Sequence, residues 1–239
     1  MFWDCPITYH VRREYGMHEP ILRAARAFAG DPFFQTLFVA DPRYSMPGPC
    51  EPPPVKWWLN ECGGDALFAG PCFGDGSVAD GGGHEWSARA GWGIAEVTGV
   101  DKMPVEVRRS VCGTLPGLIQ TITGAELYCV LIWLRHLSPL YSQHVYYSDS
   151  SWVVQGWNGV YSTTEPWTPF RGIWESITAL REDWPGIRVL KVKAQTTAKS
   201  VAHSIPLQSR REGNIFADKL ANVGARMHPS SAVVQNKLA

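Results

Sequence analysis

The chain has 239 residues, with 22 Lys+Arg against 22 Asp+Glu and a hydrophobic share of 45%. That suits one core-burying domain with an extension, or two small domains, and the zero net charge argues neither for nor against a polyanionic partner. No run of 18 apolar residues occurs, so a membrane-spanning helix is excluded, and no basic stretch followed by an apolar one opens the chain, so no secretory signal is expected. Cys5, Cys50, Cys62, Cys72, Cys112 and Cys129 show no C-x-x-C spacing, which argues against structural zinc. An intracellular, reducing compartment, nuclear or cytoplasmic, fits them.

Residues 1–66 read as an N-terminal extension. Positions 20–29 have helical spacing (Ile21, Leu22, Ala25, Phe28) and end at Gly30-Asp31-Pro32. The proline-dense stretch 42–54 reads as a linker, and Lys56-Trp57-Trp58-Leu59-Asn60 as an apolar patch that docks on the domain after it. The domain itself is expected over 67–228, with a flexible tail over 229–239.

Leu67-Phe68-Ala69 and Cys72-Phe73 lead into Gly74-Asp75-Gly76-Ser77, a strand expected to stop at Asp75. Asp-Gly there supplies either hairpin turn geometry or a carboxylate at a sheet edge. Further strands are expected over 92–97 and 107–111. A helix over 125–137 is apolar nearly all round and therefore buried. Thr123-x-x-Glu126 has capping-box spacing, which alone would account for the glutamate. A strand over 144–148 ends at Asp149, which has the place of an N-cap for a short helix closed by Gly156. An amphipathic helix follows over 167–182. Positions 187–193 alternate apolar and basic, as a half-exposed strand does. After a polar loop to Gly213, a helix over 214–225 sets Asn214 and Asp218 four apart on one face. Between 186 and 226 there are eight basic residues and two acidic ones, a patch suited to a polyanion.

Each of Asp75, Glu126, Asp149 and Asp218 has a cheap local account. Jointly they do not, because two strand ends and two helices of an α/β sheet bring all four to one place. Four carboxylates there repel strongly unless divalent cations sit among them, and hard oxygen donors select Mg²⁺ or Mn²⁺. In order, element type and spacing, Gly74-Asp75-Gly76-Ser77, Thr123-Gly124-Ala125-Glu126-Leu127, Ser148-Asp149-Ser150 and Gly213-Asn214-x-x-Ala217-Asp218-x-Leu220-Ala221 resemble the motif set of type 1 ribonuclease H. The resemblance covers residues 67–226. Val192-Lys193-Ala194-Gln195 and Trp157 resemble the divergent branch found with retroelement reverse transcriptases.

The resemblance implies a five-stranded mixed sheet flanked by helices, acting as an endonuclease on the RNA strand of RNA–DNA hybrids. It implies two Mg²⁺ ions (Mn²⁺ in substitution) about 4 Å apart. Asp75, Glu126, Asp149 and Asp218 would be both ligands and catalytic residues. Gly76, Ser77, Thr121 and Asn214 would meet the substrate, Thr121 at a DNA-strand phosphate. A fused or associated reverse transcriptase is the implied partner. Three features depart from the family's pattern. Gln195 stands where a histidine assisting proton transfer or product release is usual, with His203 as the alternative in the same loop. Gly124 stands where an arginine or lysine often precedes the Ala-Glu pair. Residues 157–169 hold no lysine or arginine, so a basic hybrid-gripping protrusion is missing. A catalytically silent module of a retroelement polyprotein, structural or nucleic-acid-binding, is the second reading, and a nuclease of the DDE type sharing the fold is the third.

Overall fold

The computed structural model describes residues 54–59, 67–79, 88–98, 100, 103–116, 120–141, 143–193 and 204–228. The helix expected over 20–29, the linker up to residue 53, the tail over 229–239, and both Gln195 and His203 lie outside them. Six strands form one mixed sheet: β1 (Val55–Leu59), β2 (Cys72–Ala79), β3 (Arg89–Val97), β4 (Val107–Thr114), β5 (Val145–Ser148) and β6 (Arg188–Lys191). Their order is β1-β4-β3-β2-β5-β6. The pairings from β1 through β2 are antiparallel, and those of β2 with β5 and β5 with β6 are parallel. Among the described residues, four helices accompany the sheet: α1 (Ile122–Arg135), α2 (Ser151–Trp157), α3 (Arg171–Glu182) and α4 (Ile205–Arg226). No described helix is long and apolar enough to cross a membrane.

Five of these strands are the expected mixed sheet. The sixth, β1, is the Lys56-Trp57-Trp58 patch, which enters the sheet as an edge strand beside β4. Burial of its aromatic surface holds a strand with a single neighbour. The Trp57 ring centroid lies 5.6 Å from that of Phe68 and 5.1 Å from that of His136.

Alternation sends Cys72, Gly74 and Gly76 to one face of β2 and Phe73, Asp75 and Ser77 to the other. On the first face a large core gathers Trp92 and Ile94 with α1 and with Val153, Trp157, Trp174 and Ile177 of α2 and α3. As its composition predicts, α1 is buried over most of its length, including every residue from Cys129 to Leu134. The second face carries α4; Phe73 and Tyr147 pack there with Ala217, while over β3 the contact is made by residues with almost no side chain. A Cβ on Gly91 would stand 1.8 Å from Ala225 N, and one on Gly93 would stand 2.4 Å from Ala221 N. Glycine at these two strand positions lets the helix backbone lie directly on the sheet.

Several boundaries differ from the sequence reading. β2 does not stop at Asp75 but runs on to Ala79, with Asp75 opposite Gly93 of β3. It is β5 that stops, with Ser148 level with Gly74. The final helix begins nine residues earlier than expected, at Ile205. Ser204 caps it, accepting from Leu207 N, and a proline sits in the first turn, a start signal hidden in a polar stretch. Asp218 therefore lies past the middle of α4 rather than near its start. α3 begins at Arg171, and Phe170 before it has a left-handed φ of 58°. The Phe170 ring rests against the start of α1, where a Cβ on Gly124 would stand 2.8 Å from Phe170 Cε1.

Candidate metal centre

Because β5 ends level with Gly74, the next residues along these parallel strands, Asp75 and Asp149, are neighbours in register. Gly76 brings in a third element. A Cβ there would stand 2.7 Å from Ile122 O and 2.8 Å from Glu126 N, so its absence lets the first turns of α1 close against β2. Asp75, Glu126 and Asp149 each offer a carboxylate oxygen, and the three oxygens lie within 4.8 Å of one another.

The local accounts of these acids do not hold. α1 is capped by Thr121, whose hydroxyl accepts from Gly124 N at 3.1 Å, so Glu126 is not the capping-box partner of Thr123. α2 is capped by Ser150, which accepts from Val153 N at 3.5 Å, so Asp149 is not its N-cap. Asp75 is mid-strand and not a turn residue.

Electrostatics sets this group apart. Asp75 is 8% exposed. Burial, then the negative charges of Asp149, Asp218 and Glu126, push its pKa up to about 8, against the help of the Gly76 N–H, which donates to Asp75 Oδ1 at 2.7 Å. Glu126 is also raised, first by burial; the Ser150 hydroxyl pulls it back, Asp149 raises it, and Lys191 lowers it. Crowded, desolvated carboxylates attract a divalent cation, and an all-oxygen donor set fits Mg²⁺ or Mn²⁺.

Asp218 faces this cluster from α4 and acts on Asp75 through its charge, but lies outside the group of three. The asparagines one turn to either side of it arrange the carboxylates. Asn214 Nδ2 donates to Asp149 Oδ2 at 3.3 Å, while its own Oδ1 is buried without a hydrogen-bond partner. Asn222 Nδ2 donates to Asp218 Oδ1 at 3.1 Å, and Asn222 Oδ1 accepts from Ser77 Oγ at 2.9 Å. Of the residues expected to meet substrate, Gly76 and Ser77 thus have packing and hydrogen-bonding places, Asn214 holds Asp149, and Thr121 caps α1. Ser150, Lys191 and Asn222 escaped the sequence reading. Asn222 was within reach of it, being four residues after Asp218 as Asn214 is four before; the other two depend on contacts across the fold.

No protein-family model matches the chain, and no curated protein sequence does. Solved structures do. The CSH mutant of the prototype foamy virus protease-reverse transcriptase is similar with a TM-score of 0.50 and 22% identity, over 69% of this chain and 22% of that one. The chain thus spans about a fifth of that protein's length. The solution structure of the PFV RNase H domain is matched over 67% of this chain and 96% of that one, at 24% identity and a TM-score of 0.49. LC11-RNase H1, solved in complex with an RNA/DNA hybrid, is matched over 65% and 96%, at 17% identity and a TM-score of 0.45. At these identities the likeness is one of architecture: the described chain is a divergent representative of the ribonuclease H-like fold.

Proposed function

We propose that the protein is an endonuclease that hydrolyses the RNA strand of RNA–DNA hybrids with the help of two Mg²⁺ ions, which Mn²⁺ can replace. The observation that carries this is the convergence of Asp75, Glu126 and Asp149, delivered by three separate elements to within 4.8 Å. Bound divalent cations supply Lewis acidity and a water of lowered pKa. The chain's own residues supply the rest. Asp75, the most buried and most perturbed of the acids, is the central ligand. Glu126, steadied by Ser150, and Asp149, oriented by Asn214, complete one side, and Asp218, held by Asn222, serves the other. Of the two loop residues only His203 can take a proton-transfer role, since the Gln195 amide does not titrate, and the basic residues between 186 and 226 meet the phosphates. The activity belongs to residues 67–228 with β1 as an added edge strand. A reverse transcriptase, fused or associated, is the proposed partner.

The test is cleavage of a labelled hybrid with Mg²⁺, beside duplex DNA and duplex RNA. The hybrid alone should be cut. Asp75→Asn should lower the rate at least ~10²-fold, since the lost ligand is worth several kcal/mol of transition-state stabilisation. Binding of hybrid without any cleavage would instead support a silent nucleic-acid-binding module.

A further inference from the structure

Lys191 ends β6, and the backbone holds it against the end of β5. It pairs with Ser148 in the parallel register, and Val192 N–H donates to Ser148 O at 2.9 Å. From there its Nζ donates to the carbonyl oxygen of Asp149, and its charge acts on Glu126. One exposed side chain thus touches the backbone of one member of the carboxylate group and lies in the field of another. The strand's pattern asks for nothing so specific, because any polar residue satisfies the exposed end of an edge strand.

We infer that Lys191 is a built-in counter-ion of the carboxylate centre, stabilising it when no divalent ion is bound and opposing the ion when one is. This rests on the metal-centre reading above and adds to it a residue that sets occupancy. Its logic is one of sign. An ammonium whose field reaches crowded carboxylates relieves their repulsion, and the same charge raises the electrostatic cost of bringing in a dication. Because Lys191 is exposed, its charge acts through a dielectric near that of water, where one unit charge changes divalent affinity by roughly three- to ten-fold. Lys191 is a positioning residue, since its contacts are to the ligand-bearing backbone and not to substrate.

The experiment uses the full chain and Mn²⁺ alone. Mn²⁺ affinity is measured by calorimetry for the wild type, Lys191→Met, Lys191→Arg and Asp75→Asn, and thermal unfolding is followed in chelator. Lys191→Met should bind Mn²⁺ roughly three- to ten-fold more tightly yet melt at a lower temperature in chelator. Lys191→Arg, which keeps the charge, should match the wild type in both. A residue that merely braces the Asp149 carbonyl predicts the opposite sign, so equal or weaker Mn²⁺ binding by Lys191→Met overturns the proposal, as does tighter binding by Lys191→Arg. The two readings fail separately. If the wild type binds no Mn²⁺, the metal centre falls and the counter-ion with it. If the wild type binds, Asp75→Asn does not and Lys191→Met is unchanged, only the counter-ion falls.

Discussion

The two faces of the sheet are built by opposite means. On the face of α1, α2 and α3 the space is filled: Trp92, Trp133, Trp174 and Tyr146 are at most 2% exposed. On the face of α4 it is abolished, with helix backbone set on strand backbone across Gly91 and Gly93. A core of large side chains can absorb small changes by adjusting rotamers, whereas a seam between two backbones has none to adjust. The distinction bears on chemistry because each face delivers charge to the same place. α1 supplies Glu126 across Gly76, and α4 supplies Asn214, Asp218 and Asn222 from a height fixed by missing side chains. The carboxylates are thus positioned chiefly by where the chain has no Cβ.

The comparison breaks most visibly at Gly91. Gly91→Ala would place a methyl 1.8 Å from Ala225 N, where only backbone can yield. Urea unfolding should show a loss of about 3 kcal/mol or more, or no folding at all. A cost under about 1 kcal/mol would mean that α4 is not seated on the sheet as described.

Charge sharpens it next. With Asp75 raised from 3.8 to about 8, the native state holds a proton that the unfolded chain has already lost between those values. In chelator, stability should therefore fall as pH rises from about 4 to about 8. Asp75→Asn removes that slope. It should exceed the wild type by roughly 1–3 kcal/mol at pH 8, the two converging near pH 4. Parallel pH profiles from urea titrations would show that Asp75 is not strained by its neighbours.

Two smaller effects belong to the other face. Thr121→Ala removes the cap of α1 and should cost about 1 kcal/mol in the same assay, with Thr121→Ser close to wild type. Trp133→Phe should cost still less, under about 1 kcal/mol, although Trp133 is fully buried. Its Nε1 has only the Cys72 thiol, a weak acceptor, beside it, so the exchange discards a poorly satisfied donor along with the volume. A loss above about 2 kcal/mol would show a tighter fit on this face than its aromatic packing implies.

Asp75, Glu126 and Asp149 were legible as a group because they sit at fixed distances from recognisable strand and helix signals. What escaped were choices that the chain settles only in three dimensions. Thr121 and Thr123 are both plausible caps for α1, and the spacing to Glu126 favours the wrong one; the backbone turns into the helix at 121, so Thr121 is the cap. The start of α4 was obscured because Ser204 and Pro206 look like loop residues until the helix beyond them is seen. β1 has the sequence of a docked patch, since five residues carry too little alternation to declare a strand. Lys191 gave no local sign, because its contact with Asp149 depends on β5 and β6 being in parallel register.

Phe170 and Gly124 are 46 positions apart, and the ring stands against the place where a side chain at 124 would begin, a Cβ there lying 2.8 Å from Phe170 Cε1. The family that the sequence resembles often carries arginine or lysine at that place. Restoring a basic residue at 124 would collide with the ring, while removing the ring first would strip an edge contact from Trp152, whose centroid lies 6.3 Å away. A side chain at 124 therefore requires that the ring move aside or be replaced. The space over the start of α1 is thus shared between two positions, and what one residue can be is set by the other.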